Sequence, residues 1–428
     1  MTRSYARELG KKKDEQVLLK GWIHRIHDLG RITFLTLRDK TGLVQLVLNE
    51  KLHEQLRLET AVEVEGKCIA SIKAPGGFEV EVSMLRIVGK ADYDVLPFPV
   101  NKEDPVHLET KLDHRTISLR PPKARAPFVI QQGIVEAFRS YLTEHQFSEI
   151  HTPKILSAGT EGGSEMFTVK YFDTRAFLAQ SPQFYKQMMV GAGFERVFEI
   201  GHAYRAELHN TWRHLNEYVS LDLEMGFIQN ETEIMDLEEG FMRYLMPYLE
   251  EHCKEALETL EVTLPQVGTI PRMSLAEAHE ILLDQYGKTS PPGNLDAEGE
   301  NLLSGYIQEE HGSEFVFITR YPTDKRPVYT MPFEDDPAVT RSFDLLLRGL
   351  EITTGGQRIH DYRHLITNME KFGLDPDDFS FYTESFRYGM PPHGGLAIGL
   401  ERLTMKLCQL SNIREATLLP RDLKRLTP

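Results

Sequence analysis

The sequence predicts an α+β chain in two modules, a small all-β barrel followed by a larger domain that mixes helices with paired strands. Three features point to this: alternating strand-like runs in the first ninety or so residues, a proline-rich stretch after them, and helical spacing with further strand pairs beyond it. At 428 residues, roughly 150 residues per domain allows two or three domains. With 41% apolar and 26% charged residues, the composition is core-forming rather than disordered.

From Gln16 the chain reads VLLKGWIHRIHDLGRITFLTLRDKTGLVQLVL, in which Ile32, Phe34 and Thr36 alternate with Thr33, Leu35 and Leu37. Turn signals at Asp28-Leu-Gly30 and Asp39-Lys-Thr-Gly42 separate the runs. Further strand-like runs follow at 61–65, 67–72 and 78–82. Five short strands in about 80 residues fit a closed barrel of the OB type, which presents aromatic and polar side chains to unpaired bases. Phe34 is then a candidate to stack on a base and Gln45 to bond a base edge. Residues 92–127 hold six prolines, at 97, 99, 105, 121, 122 and 127, as a linker would. Pro127 suits the first turn of a helix, and Ile134, Val135, Phe138 and Leu142 continue at helical spacing. No internal repeat or low-complexity tract is visible.

The formal net charge is −15, which excludes a chain coated in positive charge but not a local phosphate-binding patch. Residues 1–50 carry ten Lys/Arg against six acids, so this segment is +4 and the remainder −19. Either a basic module joins an acidic one, or the charge is solvated surface. Cys68, Cys253 and Cys408 lie far apart without a CxxC spacing, which argues against a disulfide scaffold and a cysteine-based zinc site. The uncharged stretch Tyr388–Leu400 has 13 residues and two prolines, too short and broken to span a bilayer. The opening Met1–Glu8 lacks the apolar core of a secretory signal, so a reducing cytoplasm is expected.

The usual nucleotide loops are missing. Tyr286-Gly-Lys-Thr-Ser ends like a P-loop, but Leu282 stands where the first glycine is needed, and Gly191-Ala-Gly193 fails the dinucleotide pattern at Arg196. Nucleotide chemistry would therefore need side-chain cations on an antiparallel scaffold. Three segments concentrate unusual residues: Phe138 through Phe147-Ser-Glu-Ile-His-Thr-Pro153; Val197 through Arg205-Ala-Glu207 and on to Arg213-His214-Leu-Asn-Glu217-Tyr218 and Asp222-Leu-Glu224; and Gly394 through Gly399-Leu-Glu-Arg402. In the second, Arg205 and Glu207 would share a strand face, and Tyr218, Asp222 and Glu224 return at even spacing. Such a hairpin gathers a guanidinium suited to phosphate or carboxylate and a ring suited to a purine. A salt-bridged exposed hairpin is the plainer alternative.

Taken together, these motifs resemble those of the class II aminoacyl-tRNA synthetases, and specifically aspartyl-tRNA synthetases of the shorter, archaeal-like type. The resemblance runs from Gly21-Trp22-Ile-His to Leu419-Pro-Arg-Asp-Leu-Lys-Arg-Leu. It implies an OB anticodon-binding barrel over 1–97, a hinge over 98–126, and a class II catalytic domain over 127–428 built on an antiparallel sheet flanked by helices. It assigns helices and loops without chemistry to 245–330. The segment ending at Pro153 is similar to the family's dimer interface, which implies a homodimer.

The implied reaction activates L-aspartate with ATP to aspartyl-adenylate and passes it to tRNA. Two anions must be joined, and Arg205 matches the arginine that bridges them. By the same resemblance, Arg402, Glu351 and Arg205 are the catalytic set. Arg205, Glu207, Arg213, His214, Leu215, Tyr218, Glu351, Gly399 and Arg402 hold ATP, with Glu207 accepting from the adenine amino group, Tyr218 and Arg402 covering its two faces, and Arg213 and His214 on the γ-phosphate. Asp344, Glu351 and Thr354 match positions that carry Mg²⁺, with Thr354 where many relatives have Ser. Glu161, Gln183, Lys186, Arg205, Asp222, Thr354 and Arg358 bind aspartate. Within that group Lys186 and Arg358 check the side-chain carboxylate, Gln183 and Asp222 take the α-ammonium, and Glu161 closes as a loop acid.

His24, Phe34, Gln45 and Pro75 match anticodon-binding positions. His27 stands where many relatives have Arg. At His24 and Pro75, relatives that charge only the aspartate tRNA carry a larger aromatic and a Lys, so the resemblance implies a non-discriminating enzyme charging tRNA(Asp) and tRNA(Asn). The alternatives are a discriminating aspartyl enzyme, an asparaginyl-tRNA synthetase, or an inactive tRNA-binding paralogue. Lys186 beside Asp222 favours aspartate over an amide substrate, and an inactive paralogue would be expected to lose Arg205, Arg402 or the Mg²⁺ acids.

Overall fold

The computed structural model describes residues 1–49, 56–101, 106–159 and 166–428. It divides into two compact units, Met1–Ala124 and Arg125–Pro428.

The first unit is a closed barrel of β1 (Gln16–Asp28), β2 (Thr33–Arg38), β3 (Leu43–Leu48), β4 (Ala61–Ala70) and β5 (Phe78–Gly89), in the order β1-β2-β3-β5-β4. Period-two alternation sends Leu35, Leu37, Val44, Leu46, Val62, Val64 and Val80 inward. The runs expected at 61–65 and 67–72 are one strand. It bends past β5 at Gly66, where a Cβ would collide with the Glu81 carbonyl oxygen. The stretch expected as a hinge is partly helical, holding Leu108–Asp113 and Arg115–Ser118.

The second unit is built on an eight-stranded sheet. Its strands follow β6 (Ser148–Glu149), a three-stranded side sheet of β7 (Ile155–Leu156), β8 (Thr168–Tyr171) and β9 (Thr174–Leu178), then β10 (Arg196–Tyr204), β11 (Glu217–Gly226), β12 (Arg272–Ser274), β13 (Phe315–Thr319), β14 (Ser342–Leu347), β15 (Leu350–Arg358) and β16 (His393–Gly399). The order is β12-β13-β14-β15-β16-β11-β10-β6. The run from β13 to β10 is antiparallel as expected, but β6 and β12 join the two edges in parallel, so the sheet as a whole is mixed.

Alternation divides this sheet by chemistry. One face carries Leu221, Leu223, Phe343, Leu345, Leu396 and Ile398, buried against the helices Pro122–Glu144 and Thr232–His252. The opposite face carries Ser220, Asp222, Glu224, Asp344, Gly395 and Ala397, a polar floor. The helix expected to begin at Pro127 begins at Pro122, which takes the first-turn role, and Pro127 lies inside it. Residues 245–330 are not only helices and loops, because β12 and β13 extend the sheet. The helix Ala297–His311 packs Leu303 and Ile307 onto Val316, Ile318 and Leu346 at one end of the polar floor. No helix among the described residues is long and apolar enough to cross a membrane. All three cysteines are free and buried.

Candidate active site

The strand register lines up the polar floor. Asp344, Thr354, Ala397 and Asp222 stand in one row across β14, β15, β16 and β11, and Ser342, Gly356, Gly395 and Glu224 in the next. Small residues on β16 make room, since a Cβ at Gly395 would strike the Glu224 carboxylate. Glu351 and Thr354 are three apart, which on a regular strand places them on opposite faces. The β14–β15 register shifts between Leu345 and Leu346, and this bulge turns Glu351 onto the floor, where its Oε1 accepts from Thr354 Oγ1 at 3.1 Å.

Two adjoining lobes sit above the floor. The first, about 280 Å³, is lined by all nine residues expected to hold ATP, from Arg205 and Glu207 to Gly399 and Arg402. The second, about 340 Å³, is lined by Gln183, Asp222, Asp344 and Arg358 among others. Arg205, Tyr218, Glu351 and Thr354 line both, so Arg205 stands at the seam.

Arg205 and Glu207 lie just past the end of β10 rather than on it. Asn216 fixes them there: its carbonyl accepts from Arg205 N–H at 2.9 Å, and its Nδ2 donates to the carbonyls of Arg205 at 2.7 Å and Glu207 at 3.0 Å. The Arg205 guanidinium lies 5.7 Å from the Tyr218 ring centre. Arg402 Nη1 donates to the Glu351 carbonyl at 3.0 Å and lies 3.4 Å from its carboxylate. His214 is pushed down to about 4 by burial and then by the Arg402 and Arg213 charges, so its ring is neutral at pH 7.

The second lobe ends in a buried charge cluster. Arg358 donates through Nε to Glu224 Oε1 at 3.0 Å and through Nη2 to the Gly395 carbonyl at 3.0 Å and Gln183 Oε1 at 3.3 Å. Its Nη1 has no hydrogen bond among the described residues. Gln183 Nε2 donates to Glu224 Oε2 at 3.2 Å. Burial opposes ionisation of Glu224, but Arg358 and Lys186 outweigh it and hold the carboxyl below its ordinary range. Lys186 corrects the expectation of direct contact. Its ammonium is fully buried behind the lobe, donating to Asp222 Oδ1 at 2.7 Å and to the carbonyls of Leu223 and Leu396, each at 3.3 Å. Asp222, not Lys186, faces the lobe. Glu161 lies outside the described residues.

Asp344 accepts from Arg326 Nη2 at 2.7 Å through Oδ2, while its buried Oδ1 has no hydrogen-bond partner among the described residues. Burial and the Glu351 charge push Asp344 up despite Arg326. No group of three or more His, Cys, Asp or Glu side chains suited to a metal occurs among the described residues. Two carboxylates, one with an open oxygen, and the Thr354 hydroxyl nevertheless fit Mg²⁺, a hard ion that keeps waters and substrate phosphates in its shell. Sequence reasoning placed Glu224 on the hairpin's polar face without giving it a role, and missed Asn216 and Arg326. Glu224 was marked by its even spacing from Asp222, whereas Asn216 and Arg326 left no such signal.

On the barrel, Phe34 and Thr36 of β2 face outward, with His27 opposite Phe34 and Gln45 opposite Thr36. Gln45 Nε2 donates to Glu79 Oε2 at 2.7 Å. His24 corrects the expected base contact. Its ring is buried, with Nδ1 3.0 Å from Arg38 Nη1, and Arg38 makes a two-pronged pair with Glu59 at 3.0 and 2.6 Å. Pro75 opens the short turn Pro75–Gly77, in which both glycines adopt positive φ.

A two-lobed cleft on the polar face of a largely antiparallel, mixed sheet, seamed by an arginine, together with a five-stranded barrel, defines a nucleotide-using enzyme of the class II synthetase fold. The tRNA synthetases class II (D, K and N) match residues 107–423, and the OB-fold nucleic acid binding domain matches 17–88. The chain belongs to the class II tRNA synthetases. It is 48% identical over 435 residues to an aspartate–tRNA(Asp/Asn) ligase of Deinococcus radiodurans, covering 100% of this chain and 99% of that one. It is 44% identical to an aspartate–tRNA(Asp) ligase of Pyrococcus horikoshii, covering 97% and 96%. Among solved structures, an asparaginyl-tRNA synthetase from Pyrococcus horikoshii complexed with asparaginyl-adenylate superposes with a TM-score of 0.92 at 31% identity, with full coverage of both chains.

Proposed function

We propose that this chain is an aspartate–tRNA ligase that activates L-aspartate with ATP and charges both tRNA(Asp) and tRNA(Asn). The observation that carries the reading is the Arg358 guanidinium, held by Glu224, Gln183 and the Gly395 carbonyl with no hydrogen bond to Nη1 among the described residues, in a lobe that shares Arg205 with the nucleotide lobe. The relatives named for aspartate at 44–48% identity support it.

ATP occupies the first lobe, with adenine against Tyr218 and Arg402 and the terminal phosphate toward Arg213 and His214. Aspartate occupies the second, with its α-ammonium at Asp222 and Gln183 and its side-chain carboxylate on Arg358. Lys186 acts from behind Asp222, fixing that carboxylate's orientation. Arg205 holds the α-carboxylate against the α-phosphate. The carboxylate oxygen forms a bond to phosphorus as the bond to pyrophosphate breaks, and Arg205 neutralises charge gathering on the phosphoryl oxygens. No side-chain base is needed, because the nucleophile is already an anion. The tRNA's terminal ribose hydroxyl then attacks the acyl carbon and AMP leaves. Mg²⁺, held by Asp344, Glu351 and Thr354, would supply charge neutralisation to the phosphates.

Relaxed tRNA choice rests on His24 and Pro75 and on the aspartate–tRNA(Asp/Asn) ligase names of relatives from Deinococcus radiodurans, Aeropyrum pernix and Thermus thermophilus. Residue 24 acts through packing, because its buried ring sets the space behind β1 rather than touching a base. The enzyme works as a homodimer paired through the segment ending at Pro153, where β6 forms a sheet edge, and it acts in the cytoplasm. ATP–pyrophosphate exchange with aspartate and asparagine tests the amino acid. Exchange driven by asparagine alone would overturn the assignment. Transcripts with anticodons GUC and GUU test the tRNA, and a large preference for GUC would refute relaxed choice.

A further inference from the structure

The helix Ala297–His311, within the segment 245–330, contributes one side chain, Glu300, that reaches the nucleotide lobe's wall. Glu300 takes Arg213 in a two-pronged pair, Nη1 to Oε2 at 2.5 Å and Nη2 to Oε1 at 3.3 Å. The Glu300 side chain is 5% exposed and that of Arg213 17%, so the pair is withdrawn from water. Glu300 does not line the lobe, whereas Arg213 does. The two partners are also held differently. Glu300 sits on a capped helix, where Asp296 accepts from Gly299 N–H at 2.8 Å, and that helix is packed on the sheet through Leu303 and Ile307. Arg213 sits on the loop between β10 and β11. The loop's frame is fixed without Glu300, since Arg414 donates to the Thr211 carbonyl at 3.1 Å and to Asn210 Oδ1 at 2.5 Å. The glutamate therefore acts on the guanidinium rather than on the loop's fold.

Both terminal nitrogens of Arg213 are committed to Glu300. A phosphate that needs this fork must compete with a carboxylate of the same shape and sign. We infer that Glu300 is a positioning residue that occupies Arg213 in place of the nucleotide's terminal phosphate and yields it when ATP binds. This rests on the reading above that Arg213 takes the γ-phosphate. The exchange keeps the guanidinium aimed and ordered between turnovers, weakens ATP binding by the strength of the displaced pair, and helps pyrophosphate leave by competing for its cation. Burial explains how the released carboxyl is tolerated. It already pushes Glu300 up to about 7 against the pull of Arg213. The other charges that act on Glu300 are Glu351 on β15 and Arg402 and Lys406 on the helix Leu400–Leu407. With Arg213 gone, the carboxyl takes a proton instead of remaining an unpaired buried anion.

The test is calorimetric titration of the full chain with ATP and with AMP, which lacks the competing phosphate. Glu300→Gln keeps the shape and removes the charge. It should lower the Kd for ATP about tenfold, the scale of one charge-assisted hydrogen bond, and leave AMP unchanged. Glu300→Asp, a shorter anion, should fall between, and it keeps the test open should the glutamine variant fail to fold. In an Arg213→Ala background, Glu300→Gln should have no effect on ATP. A scaffold role would weaken ATP and AMP together. That result, or unchanged ATP affinity in a folded Glu300 variant, would overturn the inference. If Arg213→Ala itself leaves ATP affinity unchanged, the γ-phosphate reading has failed instead.

Discussion

Replacing Arg358 with leucine should remove aspartate recognition and leave nucleotide binding nearly intact. The guanidinium donates to Glu224, Gln183 and the Gly395 carbonyl, and in the proposed complex its Nη1 donates to the substrate carboxylate. Losing that charge-assisted bond costs about 1.5–3 kcal/mol. The Glu224 carboxylate then faces the substrate carboxylate with only Lys186, 3.6 Å away, and Gln183 to balance it. Adding that repulsion brings the expected loss to about 3–5 kcal/mol, or roughly 10²- to 5 × 10³-fold in kcat/KM for aspartate. ATP affinity should change less than about threefold, since Arg358 lines the second lobe and not the first. Aspartate titration in ATP–pyrophosphate exchange, with ATP binding measured separately and a thermal melt confirming folding, reads all three quantities. Arg358→Lys keeps the charge but not the fork and should recover only part of the loss. An Arg358→Leu protein with unchanged KM for aspartate would refute the reasoning.

Asp344→Asn should raise the Mg²⁺ concentration that half-saturates pyrophosphate exchange, and chelation should abolish the exchange reversibly. A metal titration unmoved by the substitution would remove Asp344 from the site. Phe34→Ala should raise the KM for tRNA by about 1–3 kcal/mol of lost stacking while leaving tRNA-independent pyrophosphate exchange unchanged; a fall in both would mean that the ring is structural. Stability should depend on pH through Glu238, whose fully buried carboxyl makes no well-formed hydrogen bond among the described residues and is pushed up to about 8 by burial, against a weaker pull from the Thr353 hydroxyl. Its folded value lies above the unfolded one, so from about pH 4.5 to 8 the unfolded chain releases a proton that the folded chain keeps, and stability falls as pH rises. Glu238→Gln should flatten that slope and raise the melting temperature at pH 8. A wild-type slope preserved in the variant would exclude Glu238 as its source.

The barrel and the sheet's two-sided chemistry were legible because both rest on period two. Leu221 and Leu223 against Asp222 and Glu224, or Phe343 and Leu345 against Asp344, can be read directly from the letters. Three things were not legible, for separate physical reasons. The pairing of Glu351 with Thr354 depends on a bulge, and nothing in Leu-Glu-Ile-Thr-Thr marks where a ladder slips. The burial of His24 depends on Arg38 and Glu59, 14 and 35 positions away, closing an ion network behind β1. The contribution of residues 245–330 depends on which sheet edge they join. Glu300 is one acid among many in an acidic helix until β13 brings that helix beside Arg213.

Fold alone does not choose the amino acid, since the asparaginyl-tRNA synthetase structure superposes over the whole chain. Net charge does not choose it either. Lys186 and Arg358 are balanced by Asp222 and Glu224, so the cluster behind the second lobe is close to neutral. The choice therefore falls to hydrogen-bond direction. Glu224 already accepts from Arg358 and Gln183, and Gln183 Oε1 from Arg358. A substrate amide placed on Arg358 would have to direct its N–H₂ at oxygens that already accept from Arg358 and Gln183, whereas a carboxylate offers only acceptors to Nη1, which has no hydrogen bond among the described residues. Such a site rejects the wrong partner by leaving its polar hydrogens unpaired, a penalty of about 1–3 kcal/mol for each buried group. On the proposed reading, Glu224 would select against asparagine without touching the substrate, because the Arg358 and Gln183 bonds engage the acceptors nearest an amide. Glu224→Gln, which supplies a fresh carbonyl and loosens Arg358, should narrow the aspartate-to-asparagine ratio in pyrophosphate exchange. An unchanged ratio would show that selection resides in Arg358 alone.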